Sequence, residues 1–558
     1  MGGLNTTLYL GVGALDAAQA AIDTTSNNIA NANTAGYTEE TAQLSEDPIS
    51  QSGNEVTGGG VSLDGIQSVQ DELLNLQIQQ QTSAQSSANT ESASLQQIQT
   101  YFASTGTDIA SALTAFSSSL AALSASPTST ATQQSVLSAG QNLAQAFNTT
   151  AGGLRSAQGS ADGLVPSSVA QVNTLSQQIA QLNGQISQLS QAGQSDATEV
   201  DQLNEAVQQL AGVTGISVTQ TSDGETITTG NGTPLVMGDH SYSLQTATGS
   251  DGFQQVLDSN GNNITSTIQG GQLGGAIQMR DQVIPGMLSQ LNSLATQLSS
   301  SINAAQTQGV DSNGDVGQDF FTAPATNAAA GMSVALTSAS QLAITSTSGS
   351  SNVANLAAAL SNPLPSNSAT STNGSASAPL SLTSSLASGS VTTISDALTG
   401  QTFTFTAGAS STLGDLQSAI ANAVSAGTLS AGTGLTINGS GQAVISTTTA
   451  GDTLQVSTND SALGEFTVTA GQTPADAYAS LVFHVGTAAS NASTQATAIG
   501  SSLLQLNDQL GSESGVNIDT ETANLIRFQT AYEAGARIVS TVQALNTVAL
   551  DMGSAQSY

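Results

Sequence analysis

The residues that could do chemistry in this chain are few and scattered. Asp311, Asn313 and Asp315 have the spacing of a calcium loop, where oxygen donors at alternate positions wrap a hard cation. Val316 replaces the Gly such a loop needs for its turn, and Thr322 stands where a bidentate acid belongs. A polar turn after a helix is the plainer reading. The two histidines lie far apart, His240 beside Asp239 in an expected turn and His484 after Val482-Phe483 on an expected helix. A lone His on an apolar face is more often structural than catalytic. Ser and Asp are abundant, yet no Gly-x-Ser-x-Gly elbow falls in a strand–turn–helix setting. Glu39-Glu40 and Asp71-Glu72 read as solvated positions or helix-start charges. Cysteine is absent, which excludes disulfides and thiolate metal sites. The expectation is a chain with no active site, no metal and no cofactor.

Composition narrows the partners. The chain has 558 residues, too many for one core, so several domains are expected. Charged residues make up only 8% and aromatic residues 3%, so Ser, Thr, Gln, Asn and Gly must cover the surface. Lysine is missing, and Arg155, Arg280, Arg527 and Arg537 face 38 acids, for a net charge of −34. Phosphate backbones and anionic membranes repel such a chain, so neither nucleic acid nor a membrane is an expected partner. No run of 18 apolar residues is present to span a bilayer, and no basic segment with an apolar run marks a secretory signal.

With no site chemistry to position, the organising elements are the two ends. From Leu4 the apolar residues Leu8, Val12, Leu15, Ala18, Ile22 and Ile29 fall in steps of three, four and seven, one stripe of a helix. The run Asn27 to Tyr37 should end it, with Gly36 able to take the left-handed conformation. Near the other end Leu525, Phe528, Tyr532, Ala536, Val539, Val542, Leu545, Ala549 and Met552 make a second stripe. Two such helices pair with each other or with copies of themselves, and spacing alone does not choose between an intramolecular coiled coil and a polymerisation surface.

Between the ends the period of the pattern changes several times. Residues 38–68 read as extended or short-stranded, with Gly58-Gly59-Gly60 before Val61-Ser62-Leu63. Helical spacing returns with Leu73, Leu76, Leu95, Ile98 and Phe102, around a middle (77–94) that is almost wholly polar and needs flanking partners. Ile109, Leu113, Phe116, Leu120 and Leu123 mark a helix ended by Ser126-Pro127. Val136, Leu143 and Phe147 mark the next, and Val172, Leu175, Ile179, Leu182, Ile186 and Leu189 form the clearest heptad. After a break at Gly193, Leu203, Val207 and Leu210 continue it. At Gly215 the period becomes two, with a hairpin signal at Asp223-Gly224 and further turns at Asn231-Gly232 and Asn260-Gly261. Residues 322–475 are rich in Ser, Thr, Ala and Gly, with turns at Asn373-Gly374 and Asn438-Gly439. There, strands such as Thr402–Phe405 and Leu435–Ile437 surround a single expected helix marked by Leu413, Leu416, Ile420 and Val424.

The run Ser26-Asn27-Asn28-Ile29-Ala30-Asn31 with Asn33-Thr34-Ala35-Gly36-Tyr37 resembles the N-terminal signature of the bacterial flagellar axial proteins (rod, hook and hook-associated). The segment 514–519, then Glu521, Ala523-Asn524-Leu525, Phe528-Gln529 and Ala531-Tyr532, resembles their C-terminal signature. Leu273-Gly274-Gly275, Arg280-Asp281, Ile284-Pro285, Asn303, Gly309, Asp311, Gly314, Gly317 and Phe320-Phe321 follow an order similar to the members that join hook to filament. One departure is Gln306, which stands where the resemblance leads one to expect a His.

The fold class expected is α+β multidomain, with long terminal and central helices forming a coiled-coil or helical-bundle shaft and inserted β-rich outer domains. The expected division is 1–70 (terminal axial helix and extended segment, paired with the C-terminus), 71–215 (helical bundle), 216–271 (small β element), 272–321 (helix and loop), 322–475 (β-rich insert), 476–517 (returning helix) and 518–558 (C-terminal axial helix). The resemblance implies a non-enzymatic structural subunit of the hook–filament junction, located in the extracellular flagellum. Its partners would be copies of itself in a ring, the hook protein, the next hook-associated protein, and an export chaperone before secretion. The expected assembly interface is Leu8, Leu15, Ile22, Ile29, Asn31, Asn33, Gly36, Tyr37, Leu525, Phe528, Tyr532, Val539, Val542 and Leu545. Flagellin, hook protein or an exported surface adhesin are the alternatives, and the few aromatics for stacking on sugar weigh against the last. The resemblance also implies type III export with an uncleaved N-terminus. Mass spectrometry of protein from culture medium should therefore show the first residues intact, apart from Met1, and cleavage near residue 25 would contradict that route.

Overall fold

The computed structural model is mainly helical, with several small antiparallel sheets. It describes all residues except 1, 35, 47–49, 53, 54, 58, 103–105, 107, 192–196, 222, 347, 348, 363, 365–367, 373–379, 397, 398, 439, 440, 448–453, 469–471 and 556–558. The expected break at Gly193 and turns at Asn373-Gly374 and Gly439 lie outside the described residues. The helices are α1 (Gly2–Asn31), α2 (Glu72–Phe102), α3 (Ile109–Ala125), α4 (Thr130–Gln191), α5 (Ala197–Val213) and α6 (Gly271–Gln278). They continue as α7 (Ile284–Thr307), α8 (Ala328–Gly331), α9 (Val353–Ser361), α10 (Leu413–Ser425), α11 (Pro474–Ser514) and α12 (Ile518–Ala555). By contact the chain divides into two compact units, residues 1–93, 160–280 and 490–558 in one, 94–159 and 281–489 in the other.

In the first unit, α1 is followed by β1 (Glu40–Glu46), β2 (Ser50–Ser52), β3 (Glu55–Thr57) and β4 (Val61–Ser68). β1 pairs antiparallel with β4 and β2 with β3, so the extended segment is a nested pair of hairpins. The first half of α2 explains why its sequence is so polar. Backbone comes close to it: a Cβ on Gly275 would sit 2.9 Å from Ser87 O, and one on Gly212 would touch Ser86 and Thr82. Ser83 and Ala88 are buried there because only small side chains fit. Leu73, expected in the stripe, is 65% exposed, and Leu74 and Ile78 are buried in its place. The core lies where the α4 heptad meets α5, with Val172, Ile179, Val207 and Leu210 buried together.

That core is closed by a meander of β5 (Ile216–Thr221), β6 (Gly224–Thr229), β7 (Pro234–Met237) and β8 (His240–Ser241), paired in that order, and by the hairpin β9 (Gln245–Thr248) with β10 (Gln254–Leu257). Gly224 has φ +105°, which the β5–β6 turn requires and a Cβ would oppose. Asn183 on α4 clasps this hairpin, its Nδ2 donating to Glu225 O and Gly238 O at 2.9 Å each and its Oδ1 accepting from Glu225 N at 3.1 Å. His240, expected in a turn, opens β8.

Between α6 and α7 the backbone widens into a π-type turn, Met279–Val283, which carries Arg280. The Arg280 side chain is buried, and its Nη1 donates to Asp162 Oδ1 at 2.8 Å and Gln254 O at 2.6 Å, with the guanidinium over the Phe253 ring. Asp162 also accepts from Gln254 N at 2.8 Å.

In the second unit, α3 begins at Asp108, whose carboxylate accepts from Ser111 N at 2.9 Å as an N-cap, and it stops at Ser126 before Pro127. Phe116, Phe320 and Phe321 form a buried cluster with ring centroids 4.6–5.9 Å apart. Asn303 on α7 fixes it, since Oδ1 accepts from the amides of both Phe320 and Phe321 at 2.9 Å and Nδ2 donates to Phe321 O. Gln306 is fully buried and bridges α7 to the segment beyond it, donating to Gln341 O at 2.9 Å and accepting from Ala343 N. The Asp311 carboxylate is turned onto its own loop, accepting from the amides of Asn313 at 2.8 Å and Asp315 at 3.0 Å, as in a polar turn.

One expectation needs correcting: 322–475 does not hold a single helix. α9 packs on α3 and α7 through Val353, Leu356 and Leu360, spaced three and four apart. The β-rich part is the later span, where the strands 434–437, 443–446, 368–371 and 466–468 form one sheet and 402–406, 391–396 and 454–458 another. Both share a core with α10, which starts in a Thr412–Asp415 capping box.

Replacing Arg280 with Ala would leave the largely buried Asp162 carboxylate beside an unfilled space, and should destabilise the first unit by about 3 kcal/mol, the low end for a broken buried pair. Urea unfolding checks this. A loss comparable to that of an exposed ion pair, under ~1 kcal/mol, would show the bridge to be dispensable.

Candidate assembly site at the paired termini

α1 and α12 pack against each other antiparallel, since Asn28 meets Glu521 at one end while Leu15 meets Gly535 and Gly11 meets Val539 further along. Glycine sets how close they come. A Cβ on Gly11 would lie 2.9 Å from Val539 Cγ2, and one on Gly535 would lie 3.2 Å from Leu15 Cγ and 3.6 Å from Gly11 O. The fully buried positions of α1 are correspondingly small: Gly11, Ala17, Ala18, Ala21, Thr24, Thr25 and Asn28.

This inner face, 17, 21, 24 and 28, is rotated about one residue from the stripe of large apolar side chains. Leu8, Leu15, Ile22 and Ile29 are therefore only half-buried, as are Leu525, Phe528 and Val539, whereas Val542 is buried. Tyr532 and Leu545 are exposed, with Ile526, Ile538, Val548 and Leu550 of α12 and Tyr9 and Val12 of α1. Tyr9 is 82% exposed. In the turn after α1, Asn31 and Tyr37 are half-buried, Asn33 and Gly36 exposed, and Gly36 is left-handed at φ +80°. The structure thus pairs the two stripes within one chain and leaves much of their apolar surface open.

At the end of the inner face a polar hub joins the two ends. Asn28 is buried, its Nδ2 donating at 2.8 Å to both Glu40 O and Glu521 Oε2. Its Oδ1 accepts from Glu40 N at 3.0 Å and from the Tyr37 hydroxyl at 2.9 Å. Glu521 is equally buried, and its second oxygen accepts from Asn524 Nδ2. It lies in the first turn of α12, where the helix dipole favours a carboxylate. The next residues tie into the rest of the unit: Thr38 donates through N and Oγ1 to Asp201 at 3.0 and 2.6 Å, and Glu39 N donates to Ser514 O at 2.7 Å.

The hub collects acids without a cation among its hydrogen-bond partners. Burial, then the carboxylates of Glu40, Asp201 and Glu521, push the Tyr37 phenol well above its usual range, so it stays a donor. Burial also raises Glu39, with Glu521 adding to it. Burial raises Asp201 as well, against the opposing bonds from Thr38, Gln70 and Ser68. Asn28 and Glu521 were not among the residues expected at the interface, although both lie in the signatures. The signal was available: Asn28 extends the small-residue series 17, 21, 24 by four.

These ends match known proteins. Residues 8–38 match the family described as flagella basal body rod protein, and 512–552 the flagellar basal body rod FlgEFG protein C-terminal. The paired helices and hub thus lie in segments similar to those of flagellar axial proteins. Residues 95–321 match the flagellar hook-associated protein FlgK helical domain. Proteins named flagellar hook-associated protein 1 are similar over nearly the whole length: 29% identical in Escherichia coli K12 over 95% of this chain and 96% of that one, and 28% in Salmonella typhimurium over 95% and 97%. The fold is like that of the solved flagellar hook junction protein FlgK from Burkholderia pseudomallei, with a TM-score of 0.53 at 19% identity over 78% of this chain and 100% of that one. Over nearly its whole length the chain is thus similar to proteins named flagellar hook-associated protein 1.

Asn28→Ala removes four hydrogen bonds and leaves Glu521 buried without its amide partner, so it should weaken the terminal pair by about 2–3 kcal/mol. Tyr37→Phe removes one bond and should cost about 1 kcal/mol. Hydrogen exchange in the first turns of α12 measures both, and equal small effects would show that the hub does not hold the pair.

Proposed function

We propose that this chain is a structural subunit of the bacterial flagellum that forms the junction between hook and filament. One observation carries the proposal: a long antiparallel pair of terminal helices that leaves many of its large apolar residues outside its own contact. Tyr9, Val12, Ile526, Tyr532, Leu545 and Leu550 are solvent-facing, more large apolar side chains than a lone helix pair leaves open, and further chains would cover them. The relatives carry the name flagellar hook-associated protein 1. As a flagellar component the chain is exported by the flagellar apparatus, and it associates with other flagellar axial proteins. No helix among the described residues is long and apolar enough to cross a membrane.

In finer detail, several copies close into a ring through the outer faces of α1 and α12. Hook protein lies on one side of the ring and the next hook-associated protein on the other. Before export a chaperone covers the same apolar faces. The β-rich insert within 322–475 projects outwards and takes no part in the ring, which fits its separate core.

Tyr532→Asp or Leu545→Asp places a charge on the outer face without touching the inner one, so the subunit should fold and be exported but fail to assemble. Electron microscopy of cells carrying either variant should show hooks without filaments, with the subunit recovered from the medium. Filaments in normal number would remove this face from the junction.

A further inference from the structure

Away from the terminal pair, the first unit contains a cavity of about 330 Å³ between α2, the end of α4, α5 and the β5–β6 hairpin. Two carboxylic acids line it, Glu72 on α2 and Glu225 on β6. The Glu225 backbone is fixed at both N and O by Asn183, so its side chain cannot be carried away by a shift of the strand alone. Its Oε2 is buried from solvent and has no hydrogen-bond partner. A carboxylate left in that position keeps its full desolvation cost.

The other walls offer no opposite charge, and on α2 the further lining residues Asn75, Leu76 and Gln79 are uncharged. On α5 the lining residues Val200, Leu203 and Asn204 are uncharged, as are Asn183 and Ile186 on α4 and Val218 and Gln220 on β5. Among the described lining residues the one titratable group besides Glu225 is Glu72, and it has the same sign. A neutral acid fits this place and an ionised one does not.

We propose that Glu225 is a proton-operated clasp, which when neutral keeps the β5–β6 hairpin seated on α2, α4 and α5, and when ionised draws water into the cavity and loosens it. Burial first, and Glu72 second, push the Glu225 carboxyl up from 4.5 to about 7. The sign follows from that direction. The folded state holds the proton more tightly than the unfolded chain, so the seating is tightest below the ordinary glutamate range and is lost as pH rises through about 7.

Two measurements on the full chain test this. With carbon-13-labelled glutamate, the carboxyl resonance that disappears in Glu225→Gln should titrate near neutrality in the wild type. Titration in the ordinary glutamate range overturns the proposal. Glutamine has the shape of the neutral acid, so this variant keeps the closed form. After correction for intrinsic exchange, protection of the β6 amides in the wild type should fall about tenfold or more between about pH 6 and 8, and stay level in Glu225→Gln. The same fall in the variant would overturn the assignment to Glu225. Glu72→Gln should lower the Glu225 midpoint without abolishing it, and an unchanged midpoint would remove Glu72 from the clasp.

Discussion

The antiparallel approach of α1 to α12 at Gly11 and Gly535 is the constraint from which the rest of the terminal region follows. Two backbones this close put glycine opposite each large side chain that enters the contact, Gly535 facing Leu15 and Gly11 facing Val539, and the fully buried positions of α1 are Gly, Ala, Thr and Asn. The large apolar residues are displaced to the flanks and outside, where they are half-buried or exposed. A pair held by small residues buries little apolar surface for its length, and burial is what normally stabilises helices in water. The Asn28 hub supplies part of the difference at one end. It also fixes the register, because Asn28 and Glu521 are 2.8 Å apart only when the helices align in one way.

This arrangement separates two jobs that one stripe would otherwise have to share. The intramolecular contact rests mainly on glycine, alanine and polar atoms, with Leu15, Val539 and Val542 only, and so leaves most of the large apolar residues open. Those remain for contacts between chains, which supports assembly of a folded subunit. The hub also binds the start of β1 through Glu40 and, one step on, α5 through Thr38 and Asp201. The orientation of the terminal pair is thereby coupled to the bundle within the same unit.

Much of this was legible in the sequence. The terminal helices, the stop at Ser126-Pro127, the α4 heptad, the Asp223-Gly224 hairpin and α10 all follow from periodicity and turn chemistry. The terminal interface was legible only in part. Leu8, Leu15, Ile22 and Ile29 were singled out because large apolar residues are the usual mark of a buried face. Here close backbone approach reverses that rule, and Ala17, Ala21 and Asn28 lie inside. The same effect hid the contact face of α2, where serine and alanine are buried against glycine-rich backbone. α9 was missed because its three apolar positions, Val353, Leu356 and Leu360, make a signal of barely two turns within a Ser/Ala-rich stretch. The Asn28–Glu521 contact joins residues 493 apart in sequence, which no local pattern can reveal.

The scarcity of charge has a structural counterpart in the amide side chains. Asn28, Asn183, Asn303 and Gln306 each donate to and accept from backbone groups of a neighbouring segment, and Asn173 does the same with both backbone atoms of Leu244. Asn352 and Asn148 each donate to two carbonyls of neighbouring segments. A carboxamide offers both a donor and an acceptor, so one side chain can complete a loop's backbone bonding where a carboxylate or ammonium could do only half. It also avoids the desolvation cost that a buried ion carries. No lysine and four arginines against 38 acids leave few cations for a buried carboxylate to pair with. Amide clasps let segments be fixed without ion pairs, and among the described residues Arg280 with Asp162 is an exception, a buried guanidinium on a largely buried carboxylate. Where a carboxylate is buried without either solution, as at Glu225, its proton becomes the variable.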